Sequence, residues 1–172
     1  MQINKTAGLL PVLCLIGSTA VAEGFYVGAK AGWMDADVNG LDEAVNVGAV
    51  VGYTFANISE GVSWGIEGEA TTTTSDGDVD IAGFNGDWDI DTQAIYGVLR
   101  LGNAFYGKLR LGYLWEDVSV SVAGASADGN DDGVSGGVGA GMHINEQFSV
   151  EAEYTYVEED INFYSVGVNF SF

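Results

Sequence analysis

The chain has 172 residues, with five basic against twenty-five acidic side chains, a formal net charge of −20 at pH 7, 26 glycines, one proline and one cysteine. So anionic a protein is excluded from binding a nucleic-acid backbone, and a single cysteine excludes a disulfide framework or a thiolate metal cage. The length fits one domain, and no stretch after the N-terminus approaches the ~20 apolar residues that a membrane-crossing helix needs.

Lys5 precedes an apolar run over residues 7–17, and the small residues Ser18-Thr19-Ala20-Val21-Ala22 lead to Glu23. This reads as a cleavable signal peptide over residues 1–22, leaving residues 23–172 as the exported domain. Cys14 lies inside the run and is expected to leave with it.

Alternating apolar and small or polar residues then recur over 25–33, 45–55, 62–70, 92–101, 105–115, 134–143, 148–157 and 162–172, most of them nine to eleven residues long. That is the length a tilted strand needs to cross hydrocarbon. The expected fold is all-β, an eight-stranded antiparallel up-and-down transmembrane β-barrel. Residues 34–44, 71–91 and 116–133 are expected as external loops, and 56–61, 102–104 and 144–147 as short periplasmic turns.

Side-chain parity separates two faces, because successive strand residues point in opposite directions. Phe25, Val27, Ala29, Ala31 and Trp33 share one face, opposite Tyr26, Gly28, Lys30 and Gly32. In the fourth segment Arg100 sets the phase, leaving Ile95, Leu99 and Leu101 outward while Tyr96 and Val98 point in. Outward aromatics sort by height into two belts, Phe25, Phe55, Trp64, Phe148, Phe170 and Phe172 at the periplasmic end, with Trp33, Trp115, Tyr156 and Tyr164 at the other.

Lys30, Arg100, Lys108 and Arg110 all take inward parity, as do Glu67, Glu69, Glu151 and Glu153. Four charges of each sign predict an internal ion-pair network, because an unpaired charge in so narrow a space is costly. Inward glycines, Gly137, Gly139 and Gly141 among them, make room for the long charged chains. Most of the remaining acids, such as Asp35, Asp37, Asp42, Glu43, Asp87, Asp89 and Asp91, fall at the external end. Such a cap favours cationic peptides, basic protein patches or divalent ions shared with surface glycolipid, with plain loop solvation as the alternative.

Three motifs invite chemistry. Asp128, Asn130 and Asp132, followed by Gly133, match the first half of a calcium-binding EF-hand loop, but the twelfth position is Gly139, where glutamate is required. That leaves a weak calcium site as the most these residues suggest, with no other metal and no cofactor implied. His143 is the sole imidazole and thus the obvious general base, yet Ile144 and Asn145 follow it with no serine nucleophile, so no catalytic residues are assigned. In the second external loop the run Thr71 to Thr74 is expected to prolong a strand, and Ile81, Phe84 and Trp88 form a candidate recognition patch, unless they fold back.

The chain ends Ser165-Val166-Gly167-Val168-Asn169-Phe170-Ser171-Phe172, in which Gly167, Phe170 and the terminal Phe172 resemble the signal read by the outer-membrane barrel assembly machinery. Together with Gly24-Phe25-Tyr26-Val27-Gly28-Ala29-Lys30-Ala31-Gly32-Trp33 and Phe105-Tyr106-Gly107-Lys108-Leu109-Arg110-Leu111-Gly112-Tyr113, this resembles the OmpA-like and opacity-porin families of small outer-membrane barrels. The resemblance implies a protein of the bacterial outer membrane, in contact with its lipids and glycolipid. Its expected role is structural and surface-interacting, with a filled ionic interior and acidic external loops that meet a cationic or host surface partner. A narrow small-solute pore is the alternative, and an envelope lipid-modifying enzyme a more distant one. The sequence stops where the barrel does, so tethering to the cell wall through a periplasmic domain is not expected.

Overall fold

β-Branched and aromatic side chains at every second position favour a pleated, half-buried strand, and short turns rich in glycine and asparagine favour antiparallel neighbours. In the computed structural model, which describes residues 24–36, 41–55, 61–81, 84–122, 125–158 and 161–172, these preferences give nine strands. They are β1 (Phe25–Ala36), β2 (Ala44–Thr54), β3 (Val62–Ser75), β4 (Gly77–Ile81), β5 (Phe84–Gly102), β6 (Phe105–Val122), β7 (Ala125–His143), β8 (Phe148–Glu158) and β9 (Ile161–Ser171). The expected signal peptide, with Lys5 and Cys14, lies outside the described residues, as do Glu23 and Asp37.

Strands pair in the order β3-β2-β1-β9-β8-β7-β6-β5, and β3 returns to β5 from Val62↔Leu101 to Thr71↔Thr92, closing an eight-stranded antiparallel barrel. The terminal strand β9 seals against β1 from Tyr26↔Ser171 to Ala36↔Ile161. β4 stands outside the ring, paired with the upper part of β5 and bridged to Leu41 through Val79.

The outer wall is apolar where a soluble protein would be polar. Ile95, Leu111, Val138 and Val166 are 54–66 % exposed on it, a surface that only lipid can cover. At the periplasmic end Tyr53, Phe55 and Trp64 form a run of rings, and Phe25, Phe172, Phe170 and Phe148 form another, with Phe25 also beside Tyr53. At the other end Trp33 stacks on Tyr164, Tyr164 meets Tyr154, and Tyr113 meets Trp115.

Two expected loops are corrected by the structure. Most of 116–133 is strand, with β6 and β7 paired as far as Val122↔Ala125, and much of 71–91 belongs to β3, β4 and β5. Trp115 to Val122 alone is about 23 Å of chain at ~3.3 Å per residue. The ladder continues above the aromatic belt because the alternation continues. Val118, Val120 and Val122 line one face, Asp117, Ser119 and Ser121 the other, so the sheet still has an apolar side to bury.

Two inward tyrosines lie across inward glycines on neighbouring strands, Tyr26 over Gly52 and Tyr106 over Gly141, where an added Cβ would run into the ring. Gly68, by contrast, faces outward with only Val51 nearby. Gly52→Val and Gly141→Val are each expected to destabilise the barrel by about 1–3 kcal/mol through overpacking, and Gly68→Val to cost less. Denaturant titration in lipid vesicles, followed by tryptophan fluorescence, measures the difference.

Candidate functional site

Inward parity on β1, β3, β5, β6 and β8 brings all eight charged residues predicted for the interior into one network. Nearest the periplasm, Arg100 Nη2 donates to Glu67 Oε1 at 2.8 Å, and its Nε lies 3.3 Å from Glu151 Oε1. Tyr26 and Tyr106 flank this layer, their hydroxyls donating to Glu67 and Glu151 at 2.5 and 2.8 Å, and the Arg100 guanidinium lies over both rings.

One step further in, Lys108 Nζ reaches three carboxylates, Glu67 at 2.8 Å, Glu151 at 2.8 Å and Glu153 at 2.6 Å. Above it Lys30 joins Glu69 at 2.7 Å and Glu153 at 2.6 Å, and Arg110 binds Glu69 at 2.5 Å while donating to Thr155. Cross-strand glycines make these reaches feasible, since Gly137 lies beside Arg110 and Gly139 beside Glu153. Every ion thus has several partners of opposite sign, the condition under which buried charges are tolerated.

The interior changes character above Arg110. Its guanidinium covers the Tyr96 ring at 4.3 Å, and the Tyr96 hydroxyl is 3.0 Å from Ser135 Oγ. Beyond lies an apolar tier of Met34, Ile90, Leu114, Val157, Phe163 and Trp88, onto which Val118, Val120 and Val122 of the extended β6 pack. Met34, Ile90 and Trp88 lie beyond the strand ends expected from the sequence, whereas Leu114, Val157 and Phe163 lie within the expected strands at inward parity. Counting on by twos from Gly32 reaches Met34, and from Gly112 reaches Leu114.

Trp88 belongs to this tier and not to a recognition patch. It is 1 % exposed and its Nε1 donates to the Asp42 carbonyl at 2.9 Å. Burying the indole with its N–H satisfied outweighs leaving it wet. The side chains of Ile81 and Phe84 lie outside the described residues. The threonine run stitches the place where β3 leaves β5: Thr71 and Thr92 hydroxyls stand 2.8 Å apart, and Thr73 bonds to Asn46 and to the backbone of Ile90.

The half EF-hand signature does not form a loop. Asp128, Asn130 and Asp132 lie along extended β7, opposite Ser119, Asp117 and Trp115, and Asp132 accepts a hydrogen bond from Tyr113. A straight strand carries every second side chain ~7 Å further on, too far for one ion to gather them. Among the described residues, no group of three or more histidine, cysteine or acidic side chains is placed to hold a metal. His143 ends β7 at the periplasmic rim, exposed beside the Tyr106 ring, and Gly167 sits in register between Lys30 and Glu151.

At the external rim, one residue beyond Trp115, Glu116 points inward and is buried. Burial and the neighbouring Glu158 push its carboxyl up to about 8, with Asp131 adding to the effect.

Over residues 7–172 the sequence matches the family described as Outer membrane protein beta-barrel domain. No curated protein sequence matches it. Among solved structures it is similar to Neisserial surface protein A, at 15 % identity over 87 % of this chain and 98 % of that one, with a TM-score of 0.62. It is also similar to Ail, the attachment invasion locus protein of Yersinia pestis, in complex with the heparin analogue sucrose octasulfate (18 % identity, 86 % and 98 % covered, TM-score 0.56). A third is the N-terminal β-barrel domain of Pseudomonas aeruginosa OprF (15 %, 86 % and 97 %, 0.54). At these identities the likeness is one of fold.

Removing the cation that three carboxylates share should be severe. Lys108→Met is expected to cost about 3–5 kcal/mol of unfolding free energy, whereas Asp128→Asn on the external sheet should stay within about 0.5 kcal/mol, both by denaturant titration of the lipid-embedded barrel. A pH effect should come from Glu116. Its folded carboxyl holds a proton that the unfolded chain releases near 4.5, so the wild-type barrel loses stability as pH climbs from there to about 8, and no further above it. Glu116→Gln should remove that decline, read from unfolding midpoints on both sides of the window.

Proposed function

The chain belongs to the outer-membrane protein β-barrel domain family, and on that premise we propose that it is a surface-interaction protein of the bacterial outer membrane, its filled barrel a rigid anchor for an acidic external sheet that meets cationic partners. The carrying observation is the solvent face of the extension formed by β4, β5, β6 and β7. There Asp78 stands directly opposite Asp87, and Asp91 opposite Asp117, with Asp128 and Asp132 on the same face.

Like charges directly opposite destabilise a ladder, and a sheet that retains them gains from a partner able to neutralise them. Ail is described with a sulfated polyanion; an acidic face of this kind selects the opposite sign. Residues 1–22 serve as the export signal, and Gly167, Phe170 and Phe172 present the terminal strand to the assembly machinery. The lipid and glycolipid of the outer membrane surround the apolar wall.

The narrow-pore reading draws no support from the interior. Glu67, Tyr96, Phe163, Met34, Ile90 and Trp88 are each at most 1 % exposed, so successive levels of the lumen are filled by side chains.

In nonionic vesicles at low salt, a lysine-rich peptide should bind the wild-type protein and be displaced as ionic strength rises. Asp87→Asn combined with Asp117→Asn should weaken that binding several-fold, and equal binding by this variant would refute the proposal. Planar bilayers carrying the wild-type protein should show no steady conductance.

A further inference from the structure

β7 and β8 stay paired only up to Gly136↔Tyr156. Beyond that pair β7 continues along β6, while β8 stays with β9, its register shifting between Tyr156 and Glu158. The seam between them leaves a cavity of about 240 Å³. Four carboxylates line it, Glu116 from β6, Asp131 and Asp132 from β7, and Glu158 from β8, with Leu114, Val134 and Tyr156 supplying apolar wall.

Glu116 sets this cavity apart from the rest of the acidic surface. It is 4 % exposed, its carboxyl shares a hydrogen bond with Glu158, and its Oε2 is buried with no partner of its own. The charged groups that face it are acidic, Asp131 directly opposite on neighbouring β7 and Glu158 from β8, while on its other neighbour, β5, the uncharged Thr92 stands opposite. Among the described residues the basic side chains are Lys30, Arg100, Lys108 and Arg110, and all four are held in ion pairs in the barrel below. The described chain therefore brings no cation to this seam.

We propose that the seam is a binding site for an organic cation, an alkylammonium or guanidinium group whose head lies between Glu116, Asp131 and Glu158 while its stem runs along Leu114 and Tyr156. A bare metal ion fits less well, since the carboxylates are not placed to share one, and a cavity with apolar walls suits a carbon stem. The two sources of such a group are a free polyamine and a basic side chain of a partner protein. The site deepens the surface-interaction reading and rests on it for the second source alone.

The test uses the folded protein in nonionic detergent, titrated calorimetrically with spermidine, with a short lysine-containing peptide and with calcium chloride. Spermidine or the peptide should saturate at one per barrel, and binding should tighten as pH rises through the range in which Glu116 gives up its proton. Saturation by spermidine identifies a free polyamine as a sufficient source, and saturation by the peptide alone identifies a protein side chain. Glu116→Gln and Glu158→Gln, each checked for a heat-modifiable fold, should weaken this binding at least tenfold. Asp87→Asn with Asp117→Asn should leave the one-to-one binding of spermidine intact, which separates this site from the outer acidic face that holds the lysine-rich peptide. Absence of one-to-one saturation by either organic probe, unchanged affinity in both glutamine variants, or saturation by calcium in place of the organic cations would overturn the proposal.

Discussion

Four basic side chains and four glutamates in a closed cylinder constrain everything else in this protein. Each ion would be prohibitively expensive alone, and each is tolerated because its partners arrive from other strands at fixed heights. Lys108 illustrates the coupling, since its three carboxylates come from β3 and β8 while it sits on β6. A one-residue slip in any of these strands would send its charges into lipid, so the network fixes register as well as filling space. The tyrosine-over-glycine contacts at Gly52 and Gly141 belong to the same arrangement, because they steer the Tyr26 and Tyr106 hydroxyls onto Glu67 and Glu151.

The apolar tier above the ions complements them. Met34, Phe163, Ile90 and Trp88 close the external half of the lumen, which keeps water from the ion pairs and strengthens them. The tier also explains why the strands run on past the membrane. β5 and β6 carry an apolar inner face far beyond the belt, and that face is buried only by folding over the barrel mouth, where Trp88 and Val79 meet the segment around Leu41 and Asp42. Function is thereby divided between the two faces of one sheet: the inner face completes the barrel, and the outer face carries paired aspartates into solvent.

Strand existence, face and membrane placement were legible in the chain because a period of two is a local property. Lys30, Arg100, Lys108 and Arg110 share parity with Glu67, Glu69, Glu151 and Glu153, and lipid on one side leaves that parity a single interpretation. The inward direction of Tyr96 and Val98 followed from Arg100 in the same way. Strand length was less legible, because the aromatic belts at Trp33 and Trp115 mark the edge of the bilayer and not the end of the ladder.

What a sequence cannot state is which heights coincide around a closed ring. That Lys108 meets three glutamates while the charged groups facing Glu116 are all acidic is decided by the stagger of strands remote in sequence. That Trp88 folds inward, and that β7 parts from β8 above Gly136 to open a carboxylate-lined seam, depends on the barrel being shut and its mouth covered. Local alternation sets the direction of each side chain, and closure of the ring alone sets its neighbours.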